Sequence, residues 1–320
     1  MTDTIAFERL VAEHRNELYA HCYRMLGSVQ DAEDALQEAL LGAWRGLSGF
    51  EGRSSVRAWL YRICTNACLR VIERRPRRML SPEYGPPRAD VHDLGAFVEG
   101  PVFVEPWLGE LPAADADPAV RYQQRESVEL AFVAALQHLP GTQRAVLILR
   151  EVLGFSAAET ATMLETSTAS VNSALQRARA TVDERIPDRS QAAELDALGE
   201  GGRRELVDAF VSAWERADVE GITRLLTRDA RFTMPPLPAW FDGRDAVMRF
   251  VAVRIFATPW RLVPLRTDGT PAFACYLSED GKSFDLAGVT TLVLRDGLVS
   301  EIASFLDPAL HRHLGLPAHP

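Results

Sequence analysis

The sequence predicts a multidomain chain: two all-α blocks, the second ending in a helix-turn-helix, followed by a separate α+β domain. Three observations carry this. Apolar residues recur at helical spacing over 7–74 and again over 121–182. Between those stretches, Ser81 to Pro118 has no periodicity and holds seven prolines and eight acids against one Arg. Beyond residue 200 the texture changes to helices followed by β-rich runs punctuated by Asp-Gly turns.

The elements follow in order. Phe7, Leu10, Val11, His14, Leu18, Cys22 and Met25 give a first helix over 7–25, broken at Gly27. Ser28 caps a second helix that buries Ala35, Leu36, Ala39, Leu40 and Ala43. A Gly- and Ser-rich loop, 46–55, leads to a third helix over 56–74, ended by Pro76. One face of that helix is Val56, Trp59, Leu60, Ile63, Ala67 and Val71; the other carries Arg62, Asn66 and Arg70. The interval 81–120 reads as a long linker. Helices return over 121–139 and 142–153, stopped by Pro140-Gly141 and Gly154. Ser156 and Glu159 form a capping box for a short helix, 157–164. After a turn at Glu165-Thr166, Ser167 caps a last helix with Val171, Leu175, Ala178 and Val182 inward, which completes a helix-turn-helix. A second boundary covers 186–202. Helices at 203–217, 219–226 and 243–256 then precede five strand-like runs, read as a curled antiparallel sheet, with Asp296-Gly297 the strongest hairpin signal. The expected domains are therefore 1–80, 121–189 and 200–320, with 81–120 between the first two.

With 320 residues, 47% apolar and 25% charged, the chain has the composition of a globular protein and not of a disordered one. No run of about 18 apolar residues predicts a membrane span, and MTDTIAFERL lacks the pattern of a signal peptide, so the reading is cytoplasmic with no membrane partner. Cys22, Cys64, Cys68 and Cys275 are too scattered for a disulfide scaffold. Cys64 and Cys68 stand one helical turn apart with no His nearby, so neither a metal nor a cofactor is expected. The net charge of −9 argues against a whole-surface nucleic-acid binder, but residues 56–80 hold seven Arg and one acid. Such a stripe either neutralises phosphates or is a solvated helix face.

Three stretches in order, DAEDALQEALLGAW, FEGRSSVRAWLYRICTNACLRVIERR and LPGTQRAVLILREVLGFSAAETATMLETSTASVNSALQRARATV, resemble domains 2 and 4 of an extracytoplasmic-function (ECF) sigma factor. Residues 203–310 resemble the SnoaL-like domain, a cone-shaped α+β pocket fold. The resemblance implies a subunit that gives RNA polymerase core its promoter recognition and melting, with promoter DNA as second partner and the fused domain acting in cis.

On that resemblance, Asp31, Asp34, Gln37, Glu38 and Trp44 match the surface that docks on the polymerase, and Asp31, Asp34 and Glu38 share one helix face. Phe50 and Arg53, in the loop, match the segment that captures a flipped base of the −10 element. Asn66 matches a position facing that pocket, with Arg62, Arg70, Arg74, Arg75, Arg77 and Arg78 to hold phosphates. Trp59 reads as core. In the helix 167–182, Ser170, Asn172, Ser173 and Arg177 are the outward candidates for the −35 element, with Arg179 nearer phosphate. Asn172 and Ala174 stand where relatives often carry basic residues, and Glu165 occupies a turn position where Gly is usual. The linker's Trp107, in EPWLGELP, resembles a regulatory anchor of extended sigma factors; the acidic linker is either a nucleic-acid mimic or a plain tether.

In the last domain Trp214, Phe232, Met234, Trp240, Phe250, Phe273, Tyr276 and Phe305 serve either as core or as the lining of a cavity for a small-molecule ligand. Enzymes of the SnoaL type need an acid–base pair, usually His with Asp. Residues 200–310 contain no His, which leaves Asp242 or Asp285 alone and no catalytic residue. Two alternatives stand beside the sigma factor: a ligand-responsive helix-turn-helix regulator, and an isomerase or cyclase fused to a DNA-binding module. A separate anti-sigma factor, the signal and the promoter are not legible.

Overall fold

The computed structural model describes residues 2–50, 52, 54–100, 102–109, 126–267 and 269–320, with the side chains of residues 2–10 outside the description. The chain divides into two compact units, Met1–Arg78 with Leu111–Pro187, and Met79–Glu110 with Asp188–Pro320.

The first unit is helical. Helix α1 (Thr2–Leu26), α2 (Val29–Gly46) and α3 (Val56–Arg74) pack against one another. Their starts are fixed locally: Gly27 takes φ +68°, the Ser28 hydroxyl accepts from the Asp31 amide, and the Ser55 hydroxyl accepts from the Ala58 amide. After the interval outside the description come α4 (Leu130–Gln137), α5 (Gly141–Leu147, continued by a π turn over Ile148–Val152), α6 (Ala157–Met163) and α7 (Thr168–Asp183). Ser156 and Glu159 cap α6 reciprocally at 3.2 and 2.8 Å, and Ser167 caps α7. Glu165 makes the turn between them with φ +52°, a left-handed conformation that favours glycine.

Within this unit α1 packs on α4, and α3 packs on α5 and α6, so both helical blocks share one core. Buried polar groups tie them together. Arg144, 4% exposed, donates to the carbonyls of Met25, Gln137 and Leu139 and to the Gln137 amide oxygen. Arg24 Nε donates to Ser127 Oγ at 2.9 Å. Arg57 lies over the rings of Tyr61 and Phe155, which meet edge to face. Thr65 gives its hydroxyl proton to the Tyr61 carbonyl, so the His21 ring donates to Thr65 from Nε2. Burial, with Arg24 and Arg57 nearby, pushes the His21 pKa down to about 3 and keeps the ring neutral.

The second unit begins with residues 79–109, most of which the sequence reads as a linker. Apart from a one-turn helix, Ser81–Tyr84, this segment has little regular structure, yet it is packed. Val91 and Leu94 join the apolar core of the unit, the Arg88 amide donates to the Trp240 carbonyl, and the Val98 amide to the Pro236 carbonyl. Part of its backbone is satisfied by neighbours remote in sequence, which periodicity does not reveal.

Helix α8 (Gln191–Glu215) starts inside the interval read as a boundary and breaks at Gly199, φ +66°. Then follow α9 (Val219–Leu225), β1 (Leu226–Thr233), β2 (Trp240–Asp242), α10 (Arg244–Phe250, continued by a π turn over Val251–Ile255), β3 (Trp260–Pro264), β4 (Ala272–Leu277), β5 (Asp285–Arg295), β6 (Leu298–Phe305) and α11 (Pro308–His313). The strand order is β2-β1-β6-β5-β4-β3. Asp296 and Gly297 both take positive φ in the β5–β6 turn, as a type I′ hairpin requires. The expectation of an antiparallel sheet is corrected at one pair: β1 runs parallel to β6, so the sheet is mixed. Strand β2, three residues long, carries too little pattern to be read from sequence. Among the described residues no helix is long and apolar enough to cross a membrane.

Candidate polymerase and promoter surfaces

On α2, Asp34, Gln37, Glu38 and Trp44 are exposed. Leu41, 57% exposed, extends their face and was missed; its spacing three and seven residues from Glu38 and Asp34 was the available signal. Asp31 corrects the expected stripe. It is only 7% exposed and forms ion pairs with Arg75 and, at 2.6 Å, with the equally buried Arg78. The helical spacing is as expected, but the chain after Pro76 folds over the first turn of α2 and covers its acidic residue. Asp31 thereby pins the end of α3 to the start of α2, and the open stripe begins at Asp34.

The basic stripe of 56–80 is largely matched by acceptors within the unit. Arg57 meets Glu17, Arg70 meets Glu38 at 2.8 Å, and Arg77 meets His138. Arg62 Nη2 reaches Glu165 Oε1, in the helix-turn-helix turn, at 2.6 Å. Arg74 is exposed and has no ion pair among the described residues. Asn66 is half-buried, and Phe50 packs on Trp59 with ring centroids 5.0 Å apart, which gives Trp59 a packing partner in the loop. Arg53 lies outside the described residues.

On α7, Ser170, Asn172, Ser173, Arg177 and Arg179 are all exposed, while Val171, Leu175, Ala178 and Val182 are buried. Ala174 is 6% exposed, so it faces the core and not a groove. Arg177 Nη1 donates to Ser173 Oγ at 2.6 Å, one turn back on the same face. Arg179 is held by Glu151, with Nε 2.7 Å from Oε1. Ser170 is occupied by the cap, its amide donating to Ser167 Oγ.

In the second unit Trp107 is half-buried. A cavity of about 250 Å³ is lined by Trp214, Phe232, Met234 and Phe250 from the expected set, together with Leu94, Arg254 and Trp260. Trp240, Phe273, Tyr276 and Phe305 do not line it: Phe273 stacks on Phe210, Trp240 Nε1 donates to the Gly85 carbonyl, and the Tyr276 hydroxyl to the Pro317 carbonyl. Asp242 and Asp285 are exposed and lie against Arg231 and His319, away from the cavity lining. Cys22, Cys64 and Cys68 are buried free thiols, and among the described residues no cluster fits a metal ion.

Comparison with known proteins agrees with this arrangement. Residues 10–78 match the Sigma-70 region 2 model, 129–182 the Sigma-70 region 4 model, and 207–302 the SnoaL-like domain model. The ECF RNA polymerase sigma factor SigG of Mycobacterium tuberculosis is 42% identical over 310 residues, 95% of this chain and 82% of that protein. The RNA polymerase sigma-H factor of Pseudomonas aeruginosa is 31% identical over 184 residues, 58% of this chain and 88% of that protein. The crystal structure of the M. tuberculosis extracytoplasmic function sigma factor SigJ shares the fold, with TM-score 0.59 and 23% identity over 97% of this chain and 99% of that one. The chain belongs to the ECF RNA polymerase sigma factors and carries a fused SnoaL-like domain. Such factors direct transcription initiation by binding RNA polymerase core and promoter DNA, and are not enzymes.

Proposed function

We propose that the first unit is the resting form of the factor, with its promoter surfaces folded against each other, and that RNA polymerase core draws them apart. The observation that carries this is the 2.6 Å pair between Arg62, from the −10-reading helix, and Glu165, from the turn before the −35-reading helix. The two promoter elements are about 25 base pairs apart, roughly 85 Å of B-DNA at about 3.4 Å per pair, so surfaces in contact cannot occupy both. The acidic docking face from Asp34 through Glu38 to Trp44 is already exposed, so polymerase can bind before the opening.

On this reading Phe50, Arg53, Arg62, Asn66, Arg70, Arg74 and Arg75 serve the −10 element, and Ser170, Asn172, Ser173, Arg177 and Arg179 the −35 element. The domains 1–80 and 121–189 act as the two readers, in the cytoplasm where the template lies. The SnoaL-like domain regulates through residues 79–109, which connect the readers yet pack into the domain's own unit. An extended, mobile linker would serve opening better than a docked one, so docking sets its cost.

Run-off transcription with purified core polymerase tests this. Truncation after Arg189 and Trp107→Ala are both expected to change transcript yield, in the same direction, because both release the linker. Wild-type yield from both variants across a range of polymerase concentrations would refute the regulatory role.

A further inference from the structure

The cavity of the SnoaL-like domain has walls such as Phe232, Phe250, Leu277 and Leu306, and no lining residue is acidic. Its polar groups differ in how they are used. The Thr290 and Ser304 hydroxyls bond each other at 2.8 Å, and the Trp260 indole donates to the Ile255 carbonyl at 2.7 Å. One cation remains unspent among the described residues: Arg254 lines the cavity while exposed to solvent, with no ion pair or hydrogen bond. A guanidinium on the lining of an apolar cavity selects an anion.

We propose that this cavity binds a medium-chain monocarboxylate, its apolar tail against the aromatic walls and its carboxylate toward Arg254. An apolar cavity of about 150 Å³ holds benzene, so by proportion about 250 Å³ holds roughly ten non-hydrogen atoms, the size of octanoate. Leu94, from the linker segment, forms part of the wall, so an occupant bears directly on the docking of residues 79–109. Only this coupling rests on the regulatory reading above; the binding site stands without it.

Calorimetric titration of the full chain with octanoate, octanol and octylamine tests the site. Saturable octanoate binding at one site per chain is expected, with octanol and octylamine much weaker. Arg254→Gln, at an exposed position with no ion pair to lose, should weaken octanoate by about tenfold and leave octanol unchanged. Ala287→Phe, which fills the cavity, should abolish binding while the melting transition is retained. Absence of saturable octanoate binding, equal affinity for octanol, or indifference to Arg254→Gln would each overturn the proposal. Hydrogen exchange over residues 88–98 separates the coupling from the site. Slower exchange with octanoate supports linker control, and unchanged exchange with octanoate bound removes the coupling alone.

Discussion

Arg62 of α3 and Glu165 of the helix-turn-helix turn form an ion pair at 2.6 Å, joining the side chain proposed for the −10 element to the turn before the helix proposed to read the −35 element. Both partners are well exposed, so the pair contributes at most about 1 kcal/mol to stability. Its importance is positional: it occupies with an internal acid the cation proposed to hold a promoter phosphate.

Glu165→Gln should therefore barely move the melting temperature but tighten binding of a single-stranded −10 oligonucleotide severalfold, read by fluorescence anisotropy. Unchanged affinity would mean that Arg62 makes no phosphate contact or is not masked.

The three acidic positions predicted together on α2 should separate under charge reversal. Asp31→Arg places a third cation against Arg75 and Arg78 at a buried site, and should cost about 3–5 kcal/mol in a urea melt. Asp34→Arg with Glu38→Arg should cost only about 1 kcal/mol, through loss of the exposed Glu38–Arg70 pair, and weaken capture of core polymerase strongly. If the double variant binds polymerase like wild type, docking does not use this face.

This division shows which features could be read from sequence and which could not. Ser28, Ser156 with Glu159, and Ser167 cap helices through bonds three residues away, so local pattern reveals them. The outward face of α7 follows from periodicity alone. The burial of Asp31 depends on Arg78, 47 residues later, and no local signal distinguishes it from Asp34. The same limit hides the parallel β1–β6 pair and the docking of residues 79–109, whose partners are Pro236 and Trp240. In the cavity, aromatic content marked candidates, but Phe273 and Tyr276 have partners elsewhere that only the tertiary structure supplies.

On α7, Arg177→Ala should weaken binding to a −35 duplex by about 1–3 kcal/mol, most for the preferred sequence. Arg74→Ala should instead lower promoter affinity for every sequence and reduce the salt slope by about one. Equal salt slopes for wild type and Arg74→Ala would contradict the phosphate role.

Acid should destabilise the first unit through His21. Its folded pKa of about 3 lies below the ordinary 6.5, so the unfolded chain binds the extra proton. The contribution is complete above pH 6.5 and is lost as pH falls toward 3. Between about pH 7 and pH 5 this amounts to about 2 kcal/mol, measured by urea melts at each pH. His21→Gln, which keeps a donor for Thr65, should flatten that part of the profile; an unaltered profile would assign the acid sensitivity to other groups.

If promoter surfaces closed against each other open on polymerase, one distance changes. Spin labels at Glu73→Cys and Thr168→Cys, both exposed positions of the first unit, report the separation of α3 from α7. A short, narrow distribution is expected for the free chain, moving to a long one when core polymerase is added. A distribution unchanged by polymerase, in a complex that still initiates transcription, would mean that the two surfaces do not separate.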